Sequence, residues 1–306
     1  MRTNDTRLAL VEALSEGPAT GPELADRLGV SRATVWKQVK ALRDEGFSVP
    51  GEDGYRLDSV PETGPTALAW GLEGFTVEHH DRLDSTNARA RALAENGETD
   101  VVVVADEQTA ARGRLDRDWE SPPGGVYLSV VSAPSVPTAR TPLFTLVAAV
   151  ATARAAREAG VDAHIKWPND VVLPGEGPGD YRKLAGILTE MQGEQGAVEW
   201  LVVGVGVNVG DPGVEGAAGL PEDVDRRRFV QRLLAEFRAL WGSPDAVLPA
   251  WRELALTLGQ QVRVDTPGGP VEGEAVDVEE PGALLVDTGE EVVRVTAGDC
   301  EHLRPV

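Results

Sequence analysis

Residues 106–119 read DEQTAARGRLDRDW and lie between two apolar runs, Val101–Ala105 and Val126–Val131. Runs of this length and composition predict two strands, so the residues between them form a loop. The loop holds three arginines and one glycine, Arg112, Arg114, Arg117 and Gly113. A loop that folds over a phosphate needs backbone freedom and guanidinium groups, whereas a plain connection needs neither. On this segment alone, a merely solvated Arg-Gly-Arg loop remains the alternative.

The residues before the first strand predict a small polar site. FTVEHHDRLDSTN begins as an alternating strand and ends just before a predicted helix over Ala88–Ala94, so Ser85 and Thr86 lie at the helix N-terminus. Such a terminus offers hydroxyl and free N–H groups to a polar or anionic ligand. Ordinary helix capping explains the same residues equally well.

The residues after the second strand continue a mixed α/β pattern. A core helix is predicted over about Thr138–Gly160, and Pro168 in HIKWPNDVVL predicts a turn between two strand pieces. The segment from Pro174 to Asp180 is predicted to be a surface insertion, and RKLAGILTEM begins a hairpin with Gly186 inside a strand. A glycine inside a strand suggests that a ligand or another chain segment approaches closely.

EWLVVGVGVNVG alternates small and β-branched residues, so its Gly-x-Gly-x-Asn belongs to a strand. This context excludes a dinucleotide-binding turn before a helix. Helices over about Asp225–Trp241 and Ala246–Leu256 are predicted to cover the sheet.

The first 60 residues predict a winged helix-turn-helix. A helix from Thr6, a short helix over Glu23–Leu28 and a longer helix capped by Ser31 are followed by FSVPGEDGYRLD, a hairpin with Gly54 in its turn. Between Arg32 and Arg43 the third helix carries four basic residues and no acidic one.

In such modules the N-terminal part of this third helix enters the major groove. The pattern therefore predicts Ser31, Arg32, Thr34 and Gln38 near base edges, and Lys37 and Lys40 near phosphates. A small helical domain that makes protein contacts is the alternative.

The domain boundaries follow from composition. DSVPETGPT at 58–66 is punctuated by proline and glycine, and from Gln260 short strands alternate with turns. We therefore predict an α+β multidomain chain: a winged helix-turn-helix over 1–60, a mixed α/β domain over 66–257, and a C-terminal SH3-like β-barrel over 258–306.

Charge and cysteine usage limit the function classes. The net charge is −21, with four lysines against 25 arginines, a balance that resembles proteins adapted to high intracellular salt. A single cysteine excludes a disulfide framework, and four histidines give no zinc spacing, so no resident metal site is predicted. The longest apolar run, Pro142–Ala153, is too short to span a bilayer, so we expect a cytoplasmic protein without membrane contact.

Together the motifs resemble those of the biotin protein ligases, in the bifunctional type that also represses transcription. The segments that carry the resemblance are STN at 85–87, QTAARGRLDRDW at 108–119, KWPND at 166–170, KLAGIL at 183–188 and GVGVN at 204–208. The resemblance covers essentially the whole chain, and it implies a central domain of the class II synthetase type.

The resemblance also implies the reaction. Such enzymes join biotin to ATP with Mg²⁺, giving biotinyl-5′-AMP, and pass the biotinyl group to one lysine of a biotin carboxyl carrier protein. It further implies operator DNA as a partner and a homodimer on the DNA. The residues implied for catalysis are Arg112, Arg114, Lys183 and Asp170.

The remaining residues are assigned by the same resemblance. The residues implied for biotin binding are Ser85, Thr86, Asn87, Gln108, Arg112, Gly113, Arg114, Lys183, Gly186, Gly204 and Gly206. Those implied for nucleotide binding are Arg114, Trp119, Lys166, Asn169 and Asn208. One departure is Ala111, where the family usually has glycine; if position 111 needed a positive φ, alanine would cost roughly 1 kcal/mol.

Three rival readings remain open on the sequence. The chain could be a transcription factor that only senses biotin or its adenylate, although such a sensor has no need of phosphate-neutralising groups. It could be a relative of the lipoate ligases. It could also be a ligase whose helix-turn-helix no longer binds DNA.

Overall fold

The computed structural model describes residues 3–51, 53–177 and 179–303, without the side chains of residues 3, 4 and 116. Across these residues every helix falls short of the length and apolar character that a membrane span requires. The α-helices are α1 Thr3–Ser15, α2 Gly21–Leu28, α3 Arg32–Asp44, α4 Pro65–Ala69, α5 Thr86–Glu95, α6 Thr141–Glu158, α7 Arg226–Trp241 and α8 Val247–Leu254. The strands are β1 Thr76–His80, β2 Val101–Ala105, β3 Val126–Ser132, β4 His164–Lys166, β5 Asp170–Pro174, β6 Tyr181–Glu194, β7 Ala197–Val207, β8 Gln261–Thr266, β9 Gly269–Glu279, β10 Ala283–Asp287, β11 Val292–Val295 and β12 Asp299–His302.

Helices α1 to α3 form the N-terminal helix-turn-helix. Ser31 caps α3 as predicted, because its side chain accepts a 3.1 Å hydrogen bond from the backbone N–H of Thr34. The stripe of Val35, Val39 and Leu42 faces the core of this domain. The residues of the predicted wing fold back through an antiparallel bridge between Ser48 and Ser59.

A seven-stranded sheet forms the centre of the molecule, in the order β1-β2-β3-β7-β6-β5-β4. The first two strands are parallel and the other neighbours are antiparallel. Strand β2 has the bounds that its apolar run predicts, and all five of its residues are buried. Helix α6 packs along the sheet with α7 and α8, while the shorter α5 contacts β2, β3 and β7.

The C-terminal residues form a second, antiparallel sheet of five strands, in the order β11-β10-β9-β8-β12. In the described residues β11 and β12 lie at opposite ends of this order, so the strand pairs do not close into a barrel. The residue before β12 contacts the central domain, because Arg114 donates a 2.7 Å hydrogen bond to the carbonyl of Gly298.

The helix-turn-helix is held to the central domain by polar contacts. The indole Nε1 of Trp70 donates a 2.7 Å hydrogen bond to Glu12 of α1, and Arg226 of α7 pairs with Glu62 at 2.5 Å. The hydrogen bond from Arg226 holds the pKa of the Glu62 carboxyl below its usual range. The proline- and glycine-containing stretch at 58–66 runs into the short helix α4, which packs on both α1 and α7.

Candidate active site

A cavity of about 600 Å³ opens above β5, β6 and β7. It is enclosed by residues 106–119, here called the arginine loop, by the N-terminus of α5, by the loop at 209–217 and by Asp299 of β12. A volume of this order suits a small organic ligand. Its polar lining includes cationic, amide and hydroxyl side chains, namely Arg112, Arg114, Arg117, Lys183, Asn87, Gln108, Asn169, Asn208, Ser85 and Thr86. It also includes six carboxylates, namely Asp118, Glu120, Asp170, Asp211, Glu215 and Asp299.

The arginine loop folds into a small hairpin over the cavity. The N–H of Gly113 donates to the carbonyl of Arg117 at 2.7 Å, and the N–H of Trp119 donates to the carbonyl of Ala111 at 3.1 Å. Between them Leu115 has φ of 56° and is 73% exposed. A left-handed leucine costs on the order of 1 kcal/mol, so the strain of this loop lies at its tip.

Arg114 is fixed at two points. Its Nη1 donates a 2.9 Å hydrogen bond to Oδ1 of Asn169, and its Nη2 donates to Gly298. Asn169 is itself held, because its Nδ2 donates 2.9 Å to the carbonyl of Ile187. The guanidinium is therefore pre-oriented in the cavity wall by both the central sheet and the C-terminal sheet.

The neighbouring Arg117 forms an ion pair with Asp299. Burial raises the pKa of the Asp299 carboxyl, but the hydrogen bond from Arg117 and the charges of Lys166 and Arg114 outweigh it and leave the pKa lowered. Asp299 therefore carries its charge at neutral pH and anchors the loop to the C-terminal sheet.

Lys183 lies on the floor of the cavity. Its Nζ is 2.8 Å from Oδ1 of Asp170, in an ion pair that lacks the alignment of a hydrogen bond, and 5.1 Å from the centre of the Trp119 ring. The indole of Trp119 covers two glycines of the floor: a Cβ at Gly206 would lie 2.7 Å from Trp119 Nε1, and one at Gly186 would lie 3.1 Å from Trp119 Cζ3. A side chain at position 206 would therefore displace the indole, whereas one at position 186 would require only a small shift.

A buried polar network borders the cavity at the N-terminus of α5. Both the N–H and the hydroxyl of Thr86 donate to Oε1 of Gln108, at 2.8 and 3.0 Å. Ser129 of β3 donates to Oγ1 of Thr86 and to Oδ1 of Asn87, at 2.8 and 2.6 Å. The hydroxyl of Ser85 caps α5 by accepting from Ala88. Capping and site formation are therefore combined in this segment.

Comparisons with known proteins agree with this geometry. The biotin/lipoate A/B protein ligase family matches residues 80–208, the biotin protein ligase C-terminal domain matches 257–303, and a helix-turn-helix domain matches 6–64. The bifunctional ligase/repressor BirA of Bacillus subtilis is 34% identical over 96% of this chain and 98% of its own length. The chain belongs to the biotin protein ligase family.

Two further relatives span the ligase part. The biotin–[acetyl-CoA-carboxylase] ligase of Mycobacterium tuberculosis is 37% identical over 87% of this chain and 95% of its own length. A solved structure of the biotin protein ligase from Aquifex aeolicus in complex with biotin and ATP superposes with a TM-score of 0.61 at 27% identity, over 75% of this chain and 99% of that one.

The fold brings the sequence-predicted ligase residues together, with one exception. All of those assigned to catalysis, biotin or nucleotide line the cavity except Lys166. Lys166 does not line the cavity: its side chain is buried, with Nζ 5.2 Å from the ring centre of Tyr181, and its support of the phosphates stays a prediction. Asn208 does line the cavity, but its amide donates to the carbonyls of Lys183 and Ala218 and so fixes the adjoining loop.

Two further expectations change. Ala111 is buried and has no positive φ, so it carries none of the strain expected of a replaced glycine. The described residues of the insertion at 174–180 do not line the cavity. The insertion approaches the C-terminal residues in space, since a Cβ at Gly179 would lie 3.6 Å from the carbonyl of Leu303.

The sequence did not identify every residue of this family site. Ser129, Asp299 and the loop at 209–217 were missed, and so was Tyr127, whose hydroxyl donates to Pro122 and whose pKa burial raises to about 12. Alternation could have indicated that Ser129 shares a face with cavity residues. No local sequence signal indicates that the C-terminal sheet contributes Asp299 to the cavity.

Most of the residues that were predicted to contact DNA are accessible, on α3 or at its N-terminus. Ser31, Arg32, Lys37 and Lys40 are exposed and Thr34 is half-buried. The prediction for Gln38 is wrong, because its side chain is 4% exposed and its Oε1 accepts a 3.1 Å hydrogen bond from Arg7 of α1. It faces the domain core, next to Val39, and cannot reach a base edge.

One group of possible metal ligands lies in the described chain outside the cavity. His79, Asp81 and Asp106 have ligand atoms within 4.8 Å of one another. The positive charge of Arg226 also acts on Asp106, which already pairs with His79 at 3.1 Å. These contacts account for the group as an ionic cluster beside α7.

Proposed function

We propose that this chain activates biotin with ATP, giving biotinyl-5′-AMP and pyrophosphate, and transfers the biotinyl group to a lysine of a biotin carboxyl carrier protein. The observation that carries the proposal is the meeting of Arg112, Arg114 and Lys183 in one cavity of a chain whose net charge is −21. These cations, in a cavity that also holds Arg117 and six carboxylates, suit a reaction between two anions.

In the first step a carboxylate oxygen of biotin attacks the α-phosphorus of ATP. A new O–P bond forms, the bond to the bridging oxygen breaks, and pyrophosphate leaves with its electron pair. Lys183 on the floor would bind the carboxylate and α-phosphate oxygens, and the guanidinium of Arg114 would stabilise charge on the phosphoryl group. Asn169 supports this role by holding Arg114 in place.

Mg²⁺ fits the donor set of this cavity. Its lining holds six carboxylates, which are hard oxygen ligands, and two of them, Asp170 and Asp299, already face a cation. Mg²⁺ would be held by carboxylates of this set together with the substrate and would supply charge neutralisation on the triphosphate.

The two ends of the cavity suit the two substrates. Ser85, Thr86, Asn87 and Gln108 offer donors and acceptors to the ureido group of biotin. The Trp119 indole, whose buried Nε1 lacks a partner among the described atoms, would stack on adenine, beside Asn208. The hairpin of Gly113 would shield the anhydride from water.

In the second step the neutral amine of the acceptor lysine attacks the biotinyl carbonyl and AMP leaves. Asp170 faces the cavity next to Lys183, so we assign it to orient the amine and to accept its proton. This step needs no covalent enzyme nucleophile, which agrees with the burial of Cys300 away from the cavity.

A transfer assay tests the ligase. Purified full-length protein with biotin, ATP, Mg²⁺ and a biotin carboxyl carrier domain, at high KCl, should biotinylate one lysine. Tight biotin binding without transfer would favour a pure sensor, and effective competition by lipoate would favour a lipoate ligase. Substituting Lys183 by alanine should strongly slow labelling of the carrier from biotin and ATP, while Lys37→Ala should leave it intact.

The helix-turn-helix supports a second role, as a biotin-responsive repressor. The basic face of α3, with Arg32, Lys37 and Lys40 exposed, would lie in the major groove of operator DNA in a homodimer. A footprint upstream of biotin genes, with and without biotinyl-5′-AMP, tests this role. If the protein protects no DNA under either condition, the helix-turn-helix no longer binds DNA.

Three finer proposals accompany these roles. The five short antiparallel strands at the C-terminus suit an SH3-like arrangement, and the central sheet suits the class II synthetase type. The acidic composition suits a cytoplasm rich in salt, where screening reduces repulsion among the acidic groups. Maximal ligation at high KCl would support this adaptation to salt.

A further inference from the structure

Trp36 stands apart from the other tryptophans. All seven lie in the described part of the chain, and Trp36 is the one that is exposed, with 60% of its surface open to solvent. Fully burying an aromatic side chain is worth about 2 to 3 kcal/mol. Single exposed apolar residues are common on proteins, so the position of this one decides its meaning.

The position is the solvent face of α3. Val35, Val39 and Leu42 turn towards the domain core, so the opposite face points outward. Arg32, Trp36 and Lys40 follow one another at intervals of four residues and form one ridge on that outer side. The indole therefore lies between two exposed cations in the half of α3 that begins at the Ser31 cap.

These neighbours decide what covers the indole. From Arg32 to Arg43 the helix carries basic residues and no acidic one, although the whole chain is strongly acidic. Another copy of this chain would bring mostly negative surface towards the ridge. A polyanion offers both charge complementarity for Lys37 and Lys40 and a groove wide enough for a helix.

We propose that Trp36 packs against the C5-methyl group of a thymine in the major groove and so sets a preference for thymine at one position of each operator half-site. Thymine alone presents an apolar group at this edge, since the other bases show only donors and acceptors there. The inference rests on the proposed operator binding and adds the base that the indole selects.

The probe is a random double-stranded DNA library, selected with full-length protein in the presence of biotin and ATP. In the enriched sequence each thymine is replaced in turn by deoxyuridine, which lacks only the methyl group. One replacement per half-site should weaken binding by the wild type about fourfold, the value of one buried methyl group. The same replacement should leave binding by Trp36→Ala unchanged.

Matched variants separate this contact from charge. Trp36→Ala removes no charge, so the slope of log affinity against log salt should stay as in the wild type. Lys40→Gln should weaken binding to all sequences and reduce that slope by about one. Met191→Ala, which truncates a side chain 40% exposed on the central domain, should affect neither. Unchanged ligation and an unchanged salt slope on DNA without the selected site show that both the central domain and the helix-turn-helix of Trp36→Ala fold.

Three results would overturn the inference. Equal losses on deoxyuridine in the wild type and Trp36→Ala would assign the methyl contact to another residue. No loss at any thymine, with weaker self-association of Trp36→Ala in the absence of DNA, would show that a second copy covers the indole. A selection that enriches no sequence would remove the repressor role itself, and with it this inference, while ligation persists.

Discussion

Lys183 and Asp170 face each other across neighbouring antiparallel strands, with Nζ 2.8 Å from Oδ1. The contact couples the cation assigned to the first half-reaction with the carboxylate assigned to the second. Each charge stabilises the other, so neither variant is a clean deletion, and the two half-reactions have to be measured separately.

Lys183→Ala should lower the rate of biotinyl-5′-AMP formation by about 10² to 10³, because it removes a charge that stabilises the phosphoryl transition state. Asp170→Asn should affect this step less and should slow single-turnover transfer from preformed adenylate by about 10². The release of pyrophosphate measures the rate of the first step, and labelling of the carrier measures the rate of the second. Asp265→Asn, which breaks an exposed pair with Arg263, serves as the control. Equal rates of transfer in the wild type and Asp170→Asn would refute the assignment of Asp170.

Asn169→Ala should speed the loss of bound biotinyl-5′-AMP about tenfold, because Arg114 loses one of its two anchors and a hydrogen bond to a charged group is worth about 1.5 to 3 kcal/mol. A chase of labelled adenylate with unlabelled adenylate measures the rate. In the control Asn96→Ala, the lost amide donated only within its own helix, to Ala92. A dissociation rate equal to that of the control would mean that Gly298 alone suffices to orient Arg114.

Local sequence signals predicted what local physics determines. The bounds of β2, the Ser31 cap and the turn at Pro168 all depend on residues within a few positions, and the structure has them where predicted. Site residues on β6 and β7 were predicted through the family motifs, since spacing cannot by itself show that Lys183 and Gly206 share a cavity.

The errors come from contacts between distant segments. Gln38 lies on a basic helix, yet Arg7 from α1 binds it inside the domain. Lys166 belongs to a family motif, yet its side chain lies outside the cavity, beside Tyr181 of β6. Loop strain was expected at Ala111 and lies instead at Leu115, because the hairpin pairing of the whole loop sets its backbone angles.

Gly204→Ala should raise the KM for biotin and lower the free energy of unfolding by about 1 to 3 kcal/mol. The new Cβ would lie 2.0 Å from Oδ1 of Asn87, so the amide that accepts from Ser129 has to move. Steady-state kinetics and urea unfolding measure the two effects. Gly242→Ala is the matched control, because its Cβ would meet its nearest neighbour at 3.6 Å. The same KM in both variants would contradict a role of this network in biotin binding.

His302 should make the stability of the fold depend on pH. Burial, and after it the charge of Lys166, lowers the pKa of His302 from 6.5 to about 4. Between these values the unfolded chain binds a proton that the folded chain does not, so the contribution is present above pH 6.5 and is lost as the pH falls towards 4.

Replacing His302 by glutamine should therefore flatten the decline of unfolding free energy with falling pH, by on the order of 2 kcal/mol across this window. Urea unfolding at a series of pH values, at constant high KCl, measures the difference. Thr257→Val removes the 3.1 Å hydrogen-bond partner of His302 but keeps the titrating group, so it should retain the wild-type slope. If the curves of His302→Gln and the wild type run parallel, another group sets the acid sensitivity of the contact between the central and C-terminal sheets.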